Sequence, residues 1–152
     1  MHSLRDWRAD GLMMTAGASS NFSLYFHNYN DYSLLLSDRF GLWRLNIIFS
    51  EKQIILLKNR KKMVLTPEQF RSLLEENLGS NFPIKNLLFW IRGIPSQQYN
   101  RKNLPNEIIE SGWKIRFLDY KYFNSTRLPS RLMIFTSSGR LLAVIKVKKW
   151  TW

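Results

Sequence analysis

Residues 31–49 read DYSLLLSDRFGLWRLNIIF, and this stretch decides the fold. Two strand-like runs, 32–36 and 42–49, flank a five-residue turn at 37–41. Turns usually carry glycine, asparagine, aspartate, serine or proline, because these residues suit or cap the backbone of a reversal. This turn instead carries an aromatic ring, Phe40, directly before its glycine. We therefore predict an antiparallel hairpin whose apolar tip needs cover from the protein's own core, a partner or a lipid bilayer.

Alternation of apolar and polar residues extends from this hairpin over most of the chain. In residues 21–29, Phe22, Leu24 and Phe26 alternate with more polar positions, which is the pattern of a half-buried strand. Similar patterns predict further strands at 52–58, 113–122, 131–136 and 140–149. Turn residues predict hairpin connections at 28–31, 59–61 and 137–139.

The first break in this alternation is a helix that begins near residue 66. Thr66 is the predicted N-cap, Pro67 occupies the first helical position, and Gln69 completes a capping box. Gly79 is predicted to end the helix. Its apolar stripe comprises Phe70, Leu73, Leu74 and Leu78.

A second helix is predicted to follow Pro83 and to stop before Gly93 and Pro95. Its apolar stripe comprises Ile84, Leu87, Leu88 and Ile91, and Phe89 and Trp90 add apolar surface outside that stripe. A helix that is apolar on most sides is normally covered on most sides. We therefore expect this helix to be buried.

The order of elements is thus five or six strands, two helices, and three or four more strands, in a single domain spanning residues 1–152. About ten meandering strands cannot lie flat in such a domain, because twisted sheets curl and exposed edges are hazardous. The sheet must form a barrel or a sandwich. We predict a mainly β (α+β) fold, an unclosed antiparallel β-barrel with helices plugging or lidding an apolar cavity.

The formal net charge of +12 suggests an anionic partner, either nucleic acid or an acidic membrane surface. The alternative is a solvated basic face without a specific partner. The absence of cysteine excludes disulfides, thiolate zinc sites and thiol nucleophiles. Neither His2 nor His27 has a nucleophile motif near it, and metal-ligand spacings and glycine-rich phosphate loops are absent from the sequence. We therefore expect no enzymatic activity, no cofactor and no metal.

The first twenty residues contain features of a secretory signal. Arg5 and Arg8 precede a short apolar stretch at 11–14, and residues 16–18 read AGA. Asp6 and Asp10 argue against a signal, and the apolar stretch is short. We therefore favour a place for this segment in the folded domain.

Two longer stretches resemble one protein family. Residues 31–41, DYSLLLSDRFG, resemble the strand–loop–strand segment of LolB, the outer-membrane lipoprotein receptor of Gram-negative bacteria. Residues 83–95, PIKNLLFWIRGIP, resemble the most specific motif of that family, P-x-x-x-L-x-x-W-[IL]-x-G-x-P. Shorter matches occur in the family's order at Leu4, Trp7, Ala9 and Gly11, at 112–115 with Tyr120, at 128–132, and at 146–150. The resemblance covers nearly the whole chain.

The resemblance implies a non-enzymatic role in lipoprotein localisation at the periplasmic face of the outer membrane of a Gram-negative bacterium. A LolB protein accepts acylated lipoproteins from the periplasmic carrier LolA and inserts them into the outer membrane. The implied partners are thus a LolA-type carrier, acylated lipoproteins and the outer-membrane lipid surface, with no nucleic acid, and the protein is expected to be a monomer.

The resemblance also assigns residues. Phe40 falls where the family has an exposed apolar loop residue that delivers cargo to the membrane, with Arg39 and Gly41 beside it. Arg39 is placed to meet anionic headgroups. The alternative is that Phe40 folds back into the core.

Side chains on the inward faces of the strands and the second helix are expected to line an acyl-chain cavity. For each of them, plain core packing is the alternative, and a shift of one residue would reverse the faces. The candidates are Leu24, Phe26, Leu34, Leu36, Leu45, Ile47, Ile54, Leu56, Leu87, Ile91, Ile115, Phe117, Ile134 and Ile145.

The family carries a lipoprotein signal and an acylated cysteine, whereas this sequence has no cysteine. Three explanations are open: the anchor was removed, the gene start lies upstream, or this member is unanchored. Two other functions remain open. One is a different periplasmic carrier of apolar ligands or lipoproteins, closer to LolA, for which Phe40 would fold onto the barrel. The other is a basic nucleic-acid-binding domain, for which aromatic residues would be exposed on a basic face. Trp113 and Phe117 instead alternate with Lys114 and Arg116.

Overall fold

Ten strands form one antiparallel sheet across the part of the chain that the computed structural model describes, residues 6–15, 18–78, 82–96 and 104–152, excluding the side chains of 77 and 78. The strands are β1 (Trp7–Thr15), β2 (Ala18–Asn28), β3 (Asp31–Ser37), β4 (Arg44–Phe49), β5 (Ile54–Lys58), β6 (Lys61–Leu65), β7 (Glu107–Glu110), β8 (Trp113–Phe123), β9 (Thr126–Phe135) and β10 (Leu141–Thr151). The helices α1 (Pro67–Leu78) and α2 (Ile84–Trp90) separate β6 from β7.

The sheet consists of two meanders, β1–β6 and β7–β10, which are joined where the first strand pairs with the last. Its order is β6-β5-β4-β3-β2-β1-β10-β9-β8-β7, so β1 pairs with β10, and β6 and β7 are the two edges. Within the described residues these edges do not pair with each other, so the barrel is unclosed, and the predicted fold class is confirmed.

Strand order follows the prediction, and the differences are shifted strand ends and one strand that was not predicted. The run predicted to begin at Leu42 begins at Arg44, and the run predicted to begin at Lys52 begins at Ile54. In both places the preceding residues serve the turn rather than the ladder. Before Arg44, the Asp38 N–H donates to the Trp43 carbonyl (3.4 Å), and before Ile54 the Ser50 N–H and hydroxyl both donate to the Gln53 carbonyl. The edge strand β7 was not predicted, since four residues are too few to show alternation.

Helix α1 begins at Pro67, as predicted. The Thr66 N–H donates to Gln69 Oε1 (2.9 Å), and the Gln69 N–H donates to Thr66 Oγ1 (3.1 Å), which is the reciprocal bonding of a capping box. The rings of Phe70 and of Phe49 on β4 pack edge to face, with 5.2 Å between their centroids. The predicted stop at Gly79 and the side chain of Leu78 lie outside the described residues.

The concave face of the sheet and α2 form one apolar core. All of Ile84, Leu87, Leu88, Phe89 and Trp90 are buried, as expected for a helix that is apolar on most sides. The first twenty residues, which contain features of a secretory signal, include the central strand β1, whose Trp7, Ala9 and Met13 belong to this core. Leu4 and residues 16–17 lie outside the described residues.

Candidate functional site

The turn between β3 and β4 is a loop of six residues, 38–43, held by its own aspartate. The Trp43 N–H donates to Asp38 Oδ1 (3.1 Å), and the Gly41 N–H donates to the Asp38 carbonyl oxygen (3.2 Å). Asn21 of β2 also donates through its amide to that carbonyl, at 3.4 Å. These bonds fix the loop backbone from inside and leave the side chains at its tip pointing away from the sheet.

The tip of the loop is apolar and exposed. Phe40 is 80% exposed and Leu42 is 83% exposed, while Trp43 retains 38% of its surface. The ring of Phe40 therefore does not fold back into the core, which was the alternative considered from sequence. We name Phe40, Leu42 and Trp43 the apolar tip; Arg39 and Gly41, beside Phe40, are also exposed.

Sequence reasoning missed Leu42 and Trp43 because it assigned both to the following strand. Strand periodicity contained the signal for Leu42. Leu45 and Ile47 face inward. Because side chains alternate between the two faces of a strand, the positions in between and before them, Arg44 and Leu42, fall on the outward face. An outward leucine beside a turn with an exposed phenylalanine is an unusual apolar surface.

The residues predicted to face the interior do face it. Ile54 is partly buried, and the other thirteen candidates are buried: Leu24, Phe26, Leu34, Leu36, Leu45, Ile47, Leu56, Leu87, Ile91, Ile115, Phe117, Ile134 and Ile145. The faces are therefore not shifted by one residue. Ile91 follows α2 as its C-cap rather than lying within it. Contact of this set with acyl chains stays a prediction.

The turn after α2 explains why its motif contains tryptophan and glycine. The indole N–H of the buried Trp90 donates to a carboxylate oxygen of Glu110 on β7, and the Ser96 N–H and hydroxyl donate to the same carboxylate (3.0 and 2.6 Å). Gly93 has φ of +79°, where side chains are strained, and a Cβ there would lie 3.2 Å from Pro129 Cγ. This turn fastens α2 to the β7 side of the barrel.

A buried arginine fastens the same segment to the other side. Arg92 is only 3% exposed, and its guanidinium lies 5.6 Å from the ring centroids of Trp7, Phe26 and Phe89. Its Nε donates to the Leu88 carbonyl (3.0 Å), and its Nη2 donates to the hydroxyl of Tyr29 (2.8 Å). No described carboxylate forms an ion pair with Arg92. Cation–π contacts therefore take the place of an ion pair, and the sequence carried no signal for this role.

Two titratable groups have shifted pKa values, and both lie at the end of the sheet opposite the loop at 38–43. A hydrogen bond and the charge of Asp6 raise the pKa of His27, which lies in the open at the end of β2. Burial raises the pKa of Tyr32, on β3, to about 12. Neither group lies beside an arrangement that would activate a nucleophile. Among the described residues, no helix combines the length and the apolar character needed to cross a membrane.

Comparison with known proteins identifies the family. A match to the family described as "Outer membrane lipoprotein LolB" spans residues 5–150. The Outer-membrane lipoprotein LolB of Francisella tularensis is 26% identical, with 97% of this chain and 74% of the relative covered. That of Coxiella burnetii is 32% identical, with 95% of this chain and 61% of the relative covered, so this chain spans about three-fifths of the Coxiella protein.

Solved structures share the fold at low sequence identity. A LolA superfamily protein from Nitrosomonas europaea superposes with a TM-score of 0.53 at 8% identity, over 96% of this chain and 85% of that one. A DUF1329 family protein from Desulfovibrio piger gives a TM-score of 0.55 at 9% identity, over 97% and 85%. The outer membrane named for the relatives agrees with the expected localisation. The match over residues 5–150 shows that this chain belongs to the outer membrane lipoprotein LolB family.

Proposed function

We propose that this protein accepts acylated lipoproteins from a LolA-type carrier and inserts them into the outer membrane, without enzymatic chemistry. Its apolar interior binds the acyl chains, and its apolar tip contacts the bilayer. The observation that carries the proposal is the pairing of an exposed, backbone-braced apolar tip with a barrel whose concave face is mainly apolar. Residues 1–152 act as one binding domain and work as a monomer.

The interior suits hydrocarbon chains because every strand candidate except Ile54 is buried on the concave face. Burying an acyl chain yields about 0.8 kcal/mol per methylene group, so two or more chains bind firmly in such a site. In the structure α2 occupies this space. Cargo binding therefore requires α2 or its side chains to give way, and Leu87 and Ile91 then line the bound chains together with the strands.

The tip suits a transient membrane contact. Each large apolar side chain contributes about 1.5–3 kcal/mol when fully buried, so Phe40 and Leu42 together can hold the protein at a bilayer only briefly. A brief contact is sufficient for a protein that must release its cargo. An exposed Phe40 favours delivery to a membrane over the LolA-like alternative, in which this ring would be covered.

A transfer assay tests the proposal. LolA loaded with an acylated lipoprotein is mixed with this protein, and outer-membrane vesicles are then added. We expect lipoprotein to move first to this protein and then to the vesicles. If the lipoprotein stays on LolA, receptor function is wrong; if it moves to this protein but never to vesicles, the LolA-like alternative is correct.

Substitution of Phe40 separates the two steps. Phe40→Glu should leave acceptance of cargo from LolA within about twofold of wild type and slow delivery by about tenfold or more, because a charged group replaces roughly 1.5–3 kcal/mol of bilayer contact. Phe40→Leu is the matched control and should retain delivery. Equal loss of acceptance and delivery in Phe40→Glu would refute the role assigned to the tip.

A further inference from the structure

Two cationic hollows flank the loop that carries the apolar tip. The first, of about 330 Å³, is lined by Ser19, Asn21, Arg39 and Lys148 together with Leu12 and Ser20. We call it the β1–β2 hollow. The second, of about 380 Å³, lies on the other side of the loop and includes Gly41, Leu42, Arg44, Asn46, Asn59 and Arg60. We call it the β4–β5 hollow. Each hollow thus presents two cations, and in the β4–β5 hollow these lie beside the exposed Leu42.

The four cations are free to bind an external anion. Arg39, Lys148, Arg44 and Arg60 form no ion pair with any described residue. The residues that line the hollows include no aspartate or glutamate. Asp38, the sequence neighbour of Arg39, accepts the Trp43 N–H and forms no ion pair with these cations. Among the described residues, the lining of each hollow therefore has an excess of positive charge.

The backbone directs two of these cations toward the loop. In the β1–β10 pair, Asp10 lies opposite Lys149 and Gly11 opposite Val147, so Lys148 is the extra residue of a β-bulge. A bulge re-aims the side chain that it carries. Arg60 lies in the two-residue turn between β5 and β6 with φ of +67°, and this turn is at the same end of the sheet as the loop because the strands are antiparallel.

The chemistry of the hollows matches a phosphate diester with a polar headgroup. Arginine binds phosphate oxygens through a planar fork of N–H donors, and lysine adds a point charge. The hydroxyls of Ser19 and Ser20 and the amide of Asn21 provide neutral hydrogen-bonding groups. In the β4–β5 hollow, the buried Asn46 Oδ1 has no partner among the described residues and can accept from a headgroup hydroxyl.

We propose that the two hollows bind the phosphate groups of anionic phospholipids, such as phosphatidylglycerol, on either side of the inserted apolar tip. This inference rests on the proposed contact of the tip with a bilayer. It adds that lipid charge, and not only apolar insertion, determines binding. A cation near an anionic surface contributes roughly fivefold in affinity, so loss of two from one hollow should weaken binding by about tenfold or more.

Vesicle co-sedimentation of the full chain tests this inference. Vesicles of phosphatidylcholine alone are compared with vesicles that also contain phosphatidylglycerol. The variants are R39Q/K148Q and R44Q/R60Q, one for each hollow. The matched control is K52Q/K121Q, which removes two exposed cations near turns at the opposite end of the sheet. Circular dichroism and urea unfolding check that every variant is folded.

We expect both hollow variants to lose about tenfold or more in affinity for phosphatidylglycerol vesicles, the control to change less than about twofold, and binding to phosphatidylcholine to be equal in all. Equal binding of wild type to both vesicles, or equal losses in the control, would overturn the inference. It is also overturned if the hollow variants lose affinity for a single-stranded oligonucleotide but not for vesicles. Failure of wild type to bind either vesicle, with Phe40→Glu unchanged from it, would instead refute membrane contact by the tip.

Discussion

The loop at 38–43 and the segment at 89–93 both combine aromatic residues with a glycine, but their environments are opposite. The loop contains Phe40, a glycine at positive φ, and then Leu42 and Trp43; in the other segment Phe89 and Trp90 end α2 and the turn that follows contains Gly93 at positive φ. Phe40 and Leu42 are at least 80% exposed, whereas Phe89 and Trp90 are at most 6% exposed. Local composition therefore does not decide burial in this protein.

Polar contacts account for the difference. The turn after α2 is bonded to the sheet through side chains: Trp90 to Glu110 on β7, and Arg92 to Tyr29 after β2. The loop makes most of its polar contacts within itself, where Asp38 accepts backbone N–H groups of the loop. One further hydrogen bond comes from the side-chain amide of Asn21 on β2. The first arrangement brings aromatic rings into the barrel. The second holds the reversal in shape without drawing its apolar side chains inward.

The largest expected effect is on the free energy of unfolding and comes from truncating Trp90, the buried aromatic residue of this comparison. Trp90→Ala should lower the free energy of unfolding by about 3–5 kcal/mol, because it leaves a large cavity and removes a donor from Glu110. Leu42→Ala, which removes an exposed apolar side chain, is the control and should change stability by less than about 0.5 kcal/mol. Urea unfolding followed by circular dichroism measures both. Similar losses in the two variants would mean that the tip is buried in solution.

Gly41 in the loop and Gly93 in the turn after α2 provide a closer comparison, because both have a left-handed backbone. A side chain in that conformation costs about 1–2 kcal/mol. A Cβ at Gly41 would meet nothing within 4 Å, whereas one at Gly93 would lie 3.2 Å from Pro129 and 3.4 Å from the Tyr120 hydroxyl. Gly41→Ala should therefore cost only the backbone strain. Gly93→Ala should cost about 1 kcal/mol more, since a contact this tight requires neighbours to shift.

Thermal unfolding of both variants measures this difference, and it should appear as a lower midpoint for Gly93→Ala than for Gly41→Ala. Equal midpoints would show that the packing against Pro129 is loose. A lower midpoint for Gly41→Ala would indicate that the loop is more tightly constrained than its open surroundings suggest.

The sequence predicted the sheet well because its signals are local. Alternation with a period of two placed Leu24, Leu34 and Ile115 on the concave face, and a reciprocal pair of polar residues marked the start of α1. The apolar excess of α2 predicted its burial. The turn residues at 28–31 and 59–61 predicted two hairpins that the structure contains.

The remaining features depend on residues far apart in the chain, and sequence reasoning did not find them. No local sequence pattern predicts the burial of Arg92, because the rings around its guanidinium include Trp7 and Phe26 from distant strands as well as Phe89. The β1–β2 hollow combines Arg39 of the β3–β4 loop with Lys148 of β10, two residues that lie 109 positions apart and meet only in the folded sheet. Leu42 was assigned to a strand because an unbroken apolar run conceals where a ladder begins. Phe40 was identified because its turn is short and its ring conflicts with turn chemistry.

The smallest expected effect concerns the end of the sheet opposite the loop, where His27 pairs with Asp6. The folded state raises the pKa of His27 above 6.5, first through the hydrogen bond to Asp6 and then through its charge. A raised pKa means that the folded chain binds the proton more tightly than the unfolded chain. The pair therefore stabilises the fold fully below about pH 6.5, and this stabilisation is lost as the pH rises through the folded pKa.

Wild type should lose slightly more stability than His27→Gln between about pH 5 and pH 9, measured as urea midpoints. The effect is small because both side chains are exposed to water. Trp7 follows Asp6 and Phe26 precedes His27 in the sequence, and the rings of both lie against the Arg92 guanidinium.

The change in pH should therefore affect the stability of this end of the barrel. Vesicle binding by the apolar tip should respond to pH equally in wild type and His27→Gln. A His27→Gln variant whose vesicle binding changes with pH differently from that of wild type would show instead that the two ends of the barrel are coupled.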